Sequence, residues 1–124
     1  MMKKVLVTGA TGFLGKYVVE ELVEYGYQVR AFGRNSKVGR SLENTSVSFF
    51  QGDLTNAEDV SEACKGMDLV VHAGALSTVW GPWEDFYRAN VLGTKYVLEA
   101  CRQAGIQRLV YVSSPSIYAA PKDQ

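Results

Sequence analysis

A doubly wound α/β sheet of five parallel strands, in the order 3-2-1-4-5, is the fold class that this sequence predicts. Three observations predict it. Short apolar, strand-like runs alternate with helix-like runs along the whole chain. Three of the helix-like runs stop at a glycine: Gly26, Gly66 and Gly105. The first strand runs straight into Gly9, Gly12 and Gly15, spaced three apart, and an amphipathic helix follows at once. Strands separated by crossovers pair in parallel with right-handed connections, which places helices on both faces of the sheet.

The elements follow in order. Strand one is expected over 3–8. A helix over 12–25 carries Leu14, Val18, Leu22 and Tyr25 on one stripe. Strand two is expected over 28–32. The polar stretch 35–44 reads as a loop with room for one short helix. Strand three spans 47–51. A helix over 56–65 takes Thr55 or Asn56 as its cap. Strand four spans 68–72. A long helix over 82–104 begins with Pro82, a residue suited to a first turn. Strand five spans 108–113. There are no internal repeats, low-complexity segments or linkers, so 1–124 reads as one domain.

Composition excludes several functions. Thirteen Lys and Arg balance thirteen Asp and Glu, which argues against nucleic acid or a membrane surface as a partner. No apolar run reaches the roughly 18 residues needed to cross a bilayer. The start, Met-Met-Lys-Lys, lacks a signal-peptide apolar region, so a cytoplasmic location is expected. Cys64 and Cys101 then read as reduced, buried thiols rather than a disulfide.

The glycine turn carries the most chemistry. Gly9 lets the chain turn sharply off the strand. Gly12 offers no side chain, so phosphate oxygens can approach the backbone. Gly15 lets the helix pack close to the strand. Backbone N–H groups around Gly12, Phe13 and Leu14, with Thr11 beside them, then face a dinucleotide pyrophosphate, whose charge the helix dipole favours.

In a doubly wound sheet, ligands bind past the C-terminal strand ends, and the other motifs fall there. After strand two, the position where NAD-binding sheets place an acidic residue falls at Gly33, with Arg34, Lys37 and Arg40 following. A guanidinium grips a 2′-phosphate in bidentate fashion, so NADP is preferred over NAD. After strand three, Asp53 can accept a hydrogen bond from the adenine amino group with Leu54 packed on the ring, or it can simply cap the next turn. After strand four, the small residues Ala73, Gly74 and Ala75 let the cofactor pass close to the backbone. His72, the single histidine, reads as a packed, hydrogen-bonded residue rather than an acid–base group. Asn90 and Gly93 interrupt the long helix, Gly93 for close contact with the sheet and Asn90 to bond a backbone group or water. After strand five, the hydroxyls of Ser113, Ser114 and Ser116 stand where a substrate oxygen would meet the nicotinamide. Trp80 and Trp83 either wall a substrate site or pack on the surface.

Five ordered motifs now stand together: Thr8-Gly-Ala-Thr-Gly-Phe-Leu-Gly15, Asp53-Leu54, His72-Ala-Gly-Ala75, Asn90-Val-Leu-Gly-Thr94 and Val112-Ser-Ser-Pro-Ser-Ile-Tyr118. This array resembles the extended short-chain dehydrogenase/reductases, the NAD-dependent epimerase/dehydratase superfamily with its Rossmann sheet. Asn90 to Tyr118 looks most like the 3β-hydroxysteroid dehydrogenase-like branch. The resemblance implies that Ser114 is catalytic, with Tyr118 as its marker, and that Asn90 supports it. It also implies a Tyr-x-x-x-Lys pair on a later helix, where tyrosine moves the proton and lysine lowers its pKa.

Tyr118-Ala-Ala-Pro-Lys122 has that spacing but follows Ser114 directly, and Pro121 opposes the helical turn that would align the pair. The chain therefore reads as the cofactor-binding N-terminal part of a longer oxidoreductase. The parent would move hydride between nicotinamide and a hydroxyl or ketone of a small-molecule substrate, and this length alone would not turn over. Nucleotide-sugar epimerase or dehydratase chemistry, a non-catalytic NADP-sensing module and a domain that kept the fold without the ligand remain as alternatives. An open fifth strand with Leu109, Val110 and Val112 predicts edge association or a homodimer.

Overall fold

The computed structural model describes residues 3–73 and 91–111. Expectations that fall on Gly74, Ala75, Trp80, Trp83, Asn90, Ser114 and Tyr118 lie outside the described residues.

The described elements are β1 (Lys4–Thr8), α1 (Phe13–Glu24), β2 (Gln28–Gly33), α2 (Ser36–Leu42), β3 (Val47–Gln51), α3 (Ala57–Cys64), β4 (Leu69–His72), α4 (Gly93–Ala104) and β5 (Leu109–Tyr111). The strands form one parallel sheet in the order β3-β2-β1-β4-β5, as the sequence predicts. The reversal of order falls between β1 and β4, where Val5 pairs with Leu69 and Thr8 with His72.

β1 is the centre of the core because both of its faces are covered. Val5, Leu6 and Val7 have no exposure at all, which explains why the strand is an unbroken apolar run rather than an alternating one. Val5 and Val7 join Val19, Val29 and Val71 on one face, against Val18, Leu22 and Val23 of α1 and Leu42 of α2. Leu6 joins Phe32, Val60, Val70 and Val97 on the other face, under α3 and α4. Burying a side chain such as Leu6 contributes about 2 kcal/mol. Cys64 and Cys101 are free thiols in this second layer. The neighbouring Cys101 thiol and burial push the Cys64 thiol up, so Cys64 stays protonated at neutral pH.

The three glycine stops hold. Gly26, Gly66 and Gly105 have φ of 89°, 79° and 75°, left-handed conformations that end the preceding turn.

Differences from expectation are local. The polar stretch 35–44 holds a real helix, α2. Asn35 caps it by accepting from Val38 N–H at 3.1 Å, and Gly39 lies so close to Phe49 that a Cβ there would come within 2.2 Å of its ring. Tight packing, rather than propensity, fixes this segment. The long helix is described from Gly93 onward as α4, behind a π-type turn at Val91 and Leu92. Gly93 is buried, as close contact with the sheet requires. β5 is described over three residues, with Val110 and Tyr111 about half exposed at 47% and 48%.

Candidate functional site: the strand ends around the glycine turn

The turn after β1 is built by backbone. Gly9 has φ of 65°, a conformation that a Cβ disfavours. Its carbonyl accepts from Gly12 N–H at 3.0 Å, and Ala10 N–H donates to Phe32 O at 3.0 Å, which ties the turn to β2. Gly15 is the tightest point: a Cβ there would stand 2.0 Å from Gly9 O and 2.8 Å from Ala10 Cα. Only glycine lets α1 start this close to the strand end.

The start of α1 is left open. Gly12 is its N-cap residue, no side chain caps it, and no acidic residue stands in its first turn. The N–H groups of Phe13, Leu14 and Gly15 have no acceptor inside the helix. Gly12's own N–H is spent on Gly9 O, so the donors lie one residue later than the sequence suggests. Gly12 itself is exposed, and a Cβ built on it would meet Gly9 O at 3.4 Å, a van der Waals contact.

At the end of β2, Gly33 lies against Thr11. A Cβ on Gly33 would fall 2.7 Å from Thr11 Oγ1 and 2.8 Å from Thr11 Cγ2. The absent carboxylate thus has a steric reason, because Thr11 occupies its place. Arg34 and Lys37 are exposed beside it, and Arg40 pairs with Glu43 at 3.5 Å on the surface. Gln51 Nε2 donates to Arg34 O at 3.3 Å, which fixes the backbone at Arg34.

At the end of β3, Asp53 makes the turn that the sequence allowed as its simpler role. Its Oδ1 accepts from Thr55 N–H at 2.8 Å and from Thr55 Oγ1 at 2.7 Å. The bond from the Thr55 backbone, with that hydroxyl and the nearby Arg34 charge, holds the Asp53 carboxyl below its ordinary value despite partial burial. Asp53 N–H donates to Asp59 Oδ2 at 3.0 Å. Leu54 is buried and belongs to the core under α3 and α4.

At the end of β4, His72 and Thr8 are the buried polar residues of the described core, each 1% exposed. Thr8 Oγ1 and His72 Nδ1 are 2.7 Å apart, His72 Nε2 and Thr94 Oγ1 are 3.0 Å apart, and Ala73 N–H donates to Thr8 Oγ1 at 3.0 Å. The His72 ring meets Tyr111 edge-on at 5.4 Å. Burial pushes its pKa down to about 4, so the ring is neutral at pH 7. Sequence reading placed His72 at the strand end but missed Thr8 and Thr94 as its partners. The signal was available only through the sheet, since residues 8 and 72 pair across β1 and β4.

The structure therefore brings Gly9, Thr11, Gly12, Leu14, Gly15, Arg34, Asp53 and Ala73 to the C-terminal ends of β1 to β4. A cluster of metal-ligating side chains is absent among the described residues, and no described helix is long and apolar enough to cross a membrane.

A family model described as the NAD dependent epimerase/dehydratase family matches residues 5–124. The chain belongs to this family. It is 45% identical over 114 residues to a 2-alkyl-3-oxoalkanoate reductase of Stenotrophomonas maltophilia, covering 92% of this chain and 34% of that protein. It is 43% identical over 115 residues to the mouse (Mus musculus) sterol-4-alpha-carboxylate 3-dehydrogenase, decarboxylating, covering 93% and 31%. The structure is similar to that of a Thermus thermophilus UDP-glucose 4-epimerase complexed with NAD, with a TM-score of 0.78 and 35% identity over 90% of this chain and 37% of that one. The chain spans about a third of the length of the curated relatives it matches.

Proposed function

We propose that this chain is the dinucleotide-cradling portion of an oxidoreductase that moves hydride between a nicotinamide cofactor and a hydroxyl or ketone of a small molecule. The observation that carries this reading is the uncapped α1 start behind Gly9, with Gly15 too tight for any Cβ. The residues fit the group. N–H groups of Phe13, Leu14 and Gly15 would hold the pyrophosphate, Gly12 leaves room for its oxygens, and Ala73 offers a small residue where the cofactor crosses β4. The bound cofactor would supply or accept the hydride. Ser114 would bond the substrate oxygen, Asn90 would support it, and a Tyr-x-x-x-Lys pair elsewhere in a full-length protein would move the proton.

Within this reading NADP is preferred over NAD. Gly33 brings no carboxylate to repel a 2′-phosphate, and the exposed Arg34 follows it directly. Titration calorimetry with both cofactors tests it. NADP should bind about tenfold tighter than NAD, and Arg34→Ala should bring the two near parity. Tighter binding of NAD overturns the preference, and binding of neither overturns the dinucleotide reading itself.

Two of the relatives are named as a reductase and a dehydrogenase, which favours alcohol–ketone chemistry. The epimerase neighbour keeps nucleotide-sugar chemistry as the second reading.

A further inference from the structure

The proton positions around His72 follow from counting donors. Ala73 N–H donates to Thr8 Oγ1 and so occupies that oxygen as an acceptor. Thr8 is 1% exposed, so its hydroxyl proton needs an acceptor inside the protein. Among the described residues the acceptor recorded for it is His72 Nδ1, at 2.7 Å. If Nδ1 carried a proton instead, the Thr8 oxygen would accept twice and its own proton would be orphaned, at a full desolvation cost. Nδ1 is therefore an acceptor, and in a neutral ring the proton sits on Nε2. Nε2–H donates to Thr94 Oγ1 at 3.0 Å. The bonds run one way, from Ala73 through Thr8 and His72 to Thr94.

These residues belong to three separate elements. Thr8 ends β1 and directly precedes Gly9, where the glycine turn begins. His72 ends β4, and Ala73 follows it. Thr94 lies in the first turn of α4, where no capping side chain fixes the described helix start. The ends of β1 and β4 flank the crevice at the point where the strand order reverses.

We propose that His72 is a positioning residue of the dinucleotide cradle: as a neutral ring protonated on Nε2, it locks the end of β1, the start of the β4 loop and the first turn of α4 into one unit. This rests on the dinucleotide reading above. The ring nitrogens are taken up by Thr8 and Thr94, so His72 acts by fixing Thr8, and with it the turn at Gly9, against Ala73. The lowered pKa supports a neutral ring.

The chain has one histidine, so two-bond proton–nitrogen NMR of histidine-labelled protein at pH 7 reads its tautomer without assignment. One species protonated on Nε2, with Nδ1 bare, is expected. A proton on Nδ1, or the averaged mixture of an exposed imidazole, overturns the proposal. Thr94→Val then removes the oxygen that receives Nε2–H while keeping the side-chain shape. Its affinity for NAD should fall about fivefold, the factor one neutral hydrogen bond carries, and Thr94→Ser should restore it. Unchanged affinity in Thr94→Val, or no rescue by serine, overturns the positioning role. If the unsubstituted chain binds neither NADP nor NAD, the function proposed above fails. In that event hydrogen exchange at the Ala73 amide decides the lock by itself: faster in Thr94→Val and restored in Thr94→Ser supports it, and no change overturns it.

Discussion

The N-termini of α1 and α3 solve the same chemical problem in opposite ways. Every helix start leaves backbone N–H groups without partners and carries partial positive charge. At α3 the chain answers from within. Asn56 Oδ1 accepts from Glu58 N–H at 3.0 Å and Asp59 N–H at 3.1 Å, and the carboxylates of Glu58 and Asp59 sit in the first turn. At α1 nothing comparable exists: a glycine stands at the cap position and the first turn holds no acid. The difference teaches where an external anion belongs. A finished terminus needs no ligand, and an unfinished one at a strand end has its donors available.

The comparison can be broken or sharpened by experiment, in order of the expected effect on stability. Gly15→Ala should do most. Its methyl would meet only backbone, at 2.0–2.8 Å, so the turn must shift, at about 3 kcal/mol. Urea unfolding should show that loss and calorimetry should show no NAD binding. Wild-type-like unfolding would mean that α1 does not need this close approach.

Acid should next separate the two regions. Burial lowers His72 from 6.5 to about 4. Above pH 6.5 the folded and unfolded chains both carry it neutral, and stability from this source is complete. As pH falls from 6.5 toward 4 the unfolded chain takes up the proton and the folded chain does not. Stability should therefore drop by up to about 3 kcal/mol and level off below pH 4. Asp53, at the turn leading into α3, is held below its ordinary 3.8. Its contribution is complete above that value and is lost only as pH falls through the lowered one. Unfolding curves across pH should show the His72 phase first and a His72→Gln chain should lack it.

Asn56→Ala removes the finished cap and should cost about 1 kcal/mol in urea unfolding, with NAD affinity unchanged. A loss of NAD affinity would show that the two termini are coupled. Gly12→Ser makes the reverse exchange, giving α1 the kind of cap that α3 has. Gly12 already has an ordinary extended backbone, with φ of −84°, so stability should rise by only a few tenths of a kcal/mol. NAD affinity should fall about tenfold, because the hydroxyl competes for the donors that a phosphate would use.

Much of this was legible in the sequence because it is local. The apolar run of β1, the glycine spacing, the Asn56 cap and the three glycine stops each declare themselves within a few residues. The order of strands followed from crossovers alone. What was not legible depends on residues distant in sequence. Thr8 and His72 are 64 positions apart and Thr94 is 22 beyond His72, so neither partner carries a local sign. Gly33 reads as a missing acid, and only the fold shows that Thr11 fills its space. The sequence does not fix α2, because its polar residues favour turns as much as helices, and the contact of Gly39 with Phe49 decides between them.

The Arg30 side chain bears on the order in which the molecule comes together. Arg30 of β2 donates through Nη1 to Ala63 O at 2.8 Å and Lys65 O at 3.0 Å, the carbonyls that close α3. α3 has no basic residue of its own in its last turn, so its final turn is completed by a side chain made 33 residues earlier. During synthesis Arg30 leaves the ribosome first. When α3 emerges, β2 is already available to meet it, and the helix can be finished on contact with the sheet instead of before it.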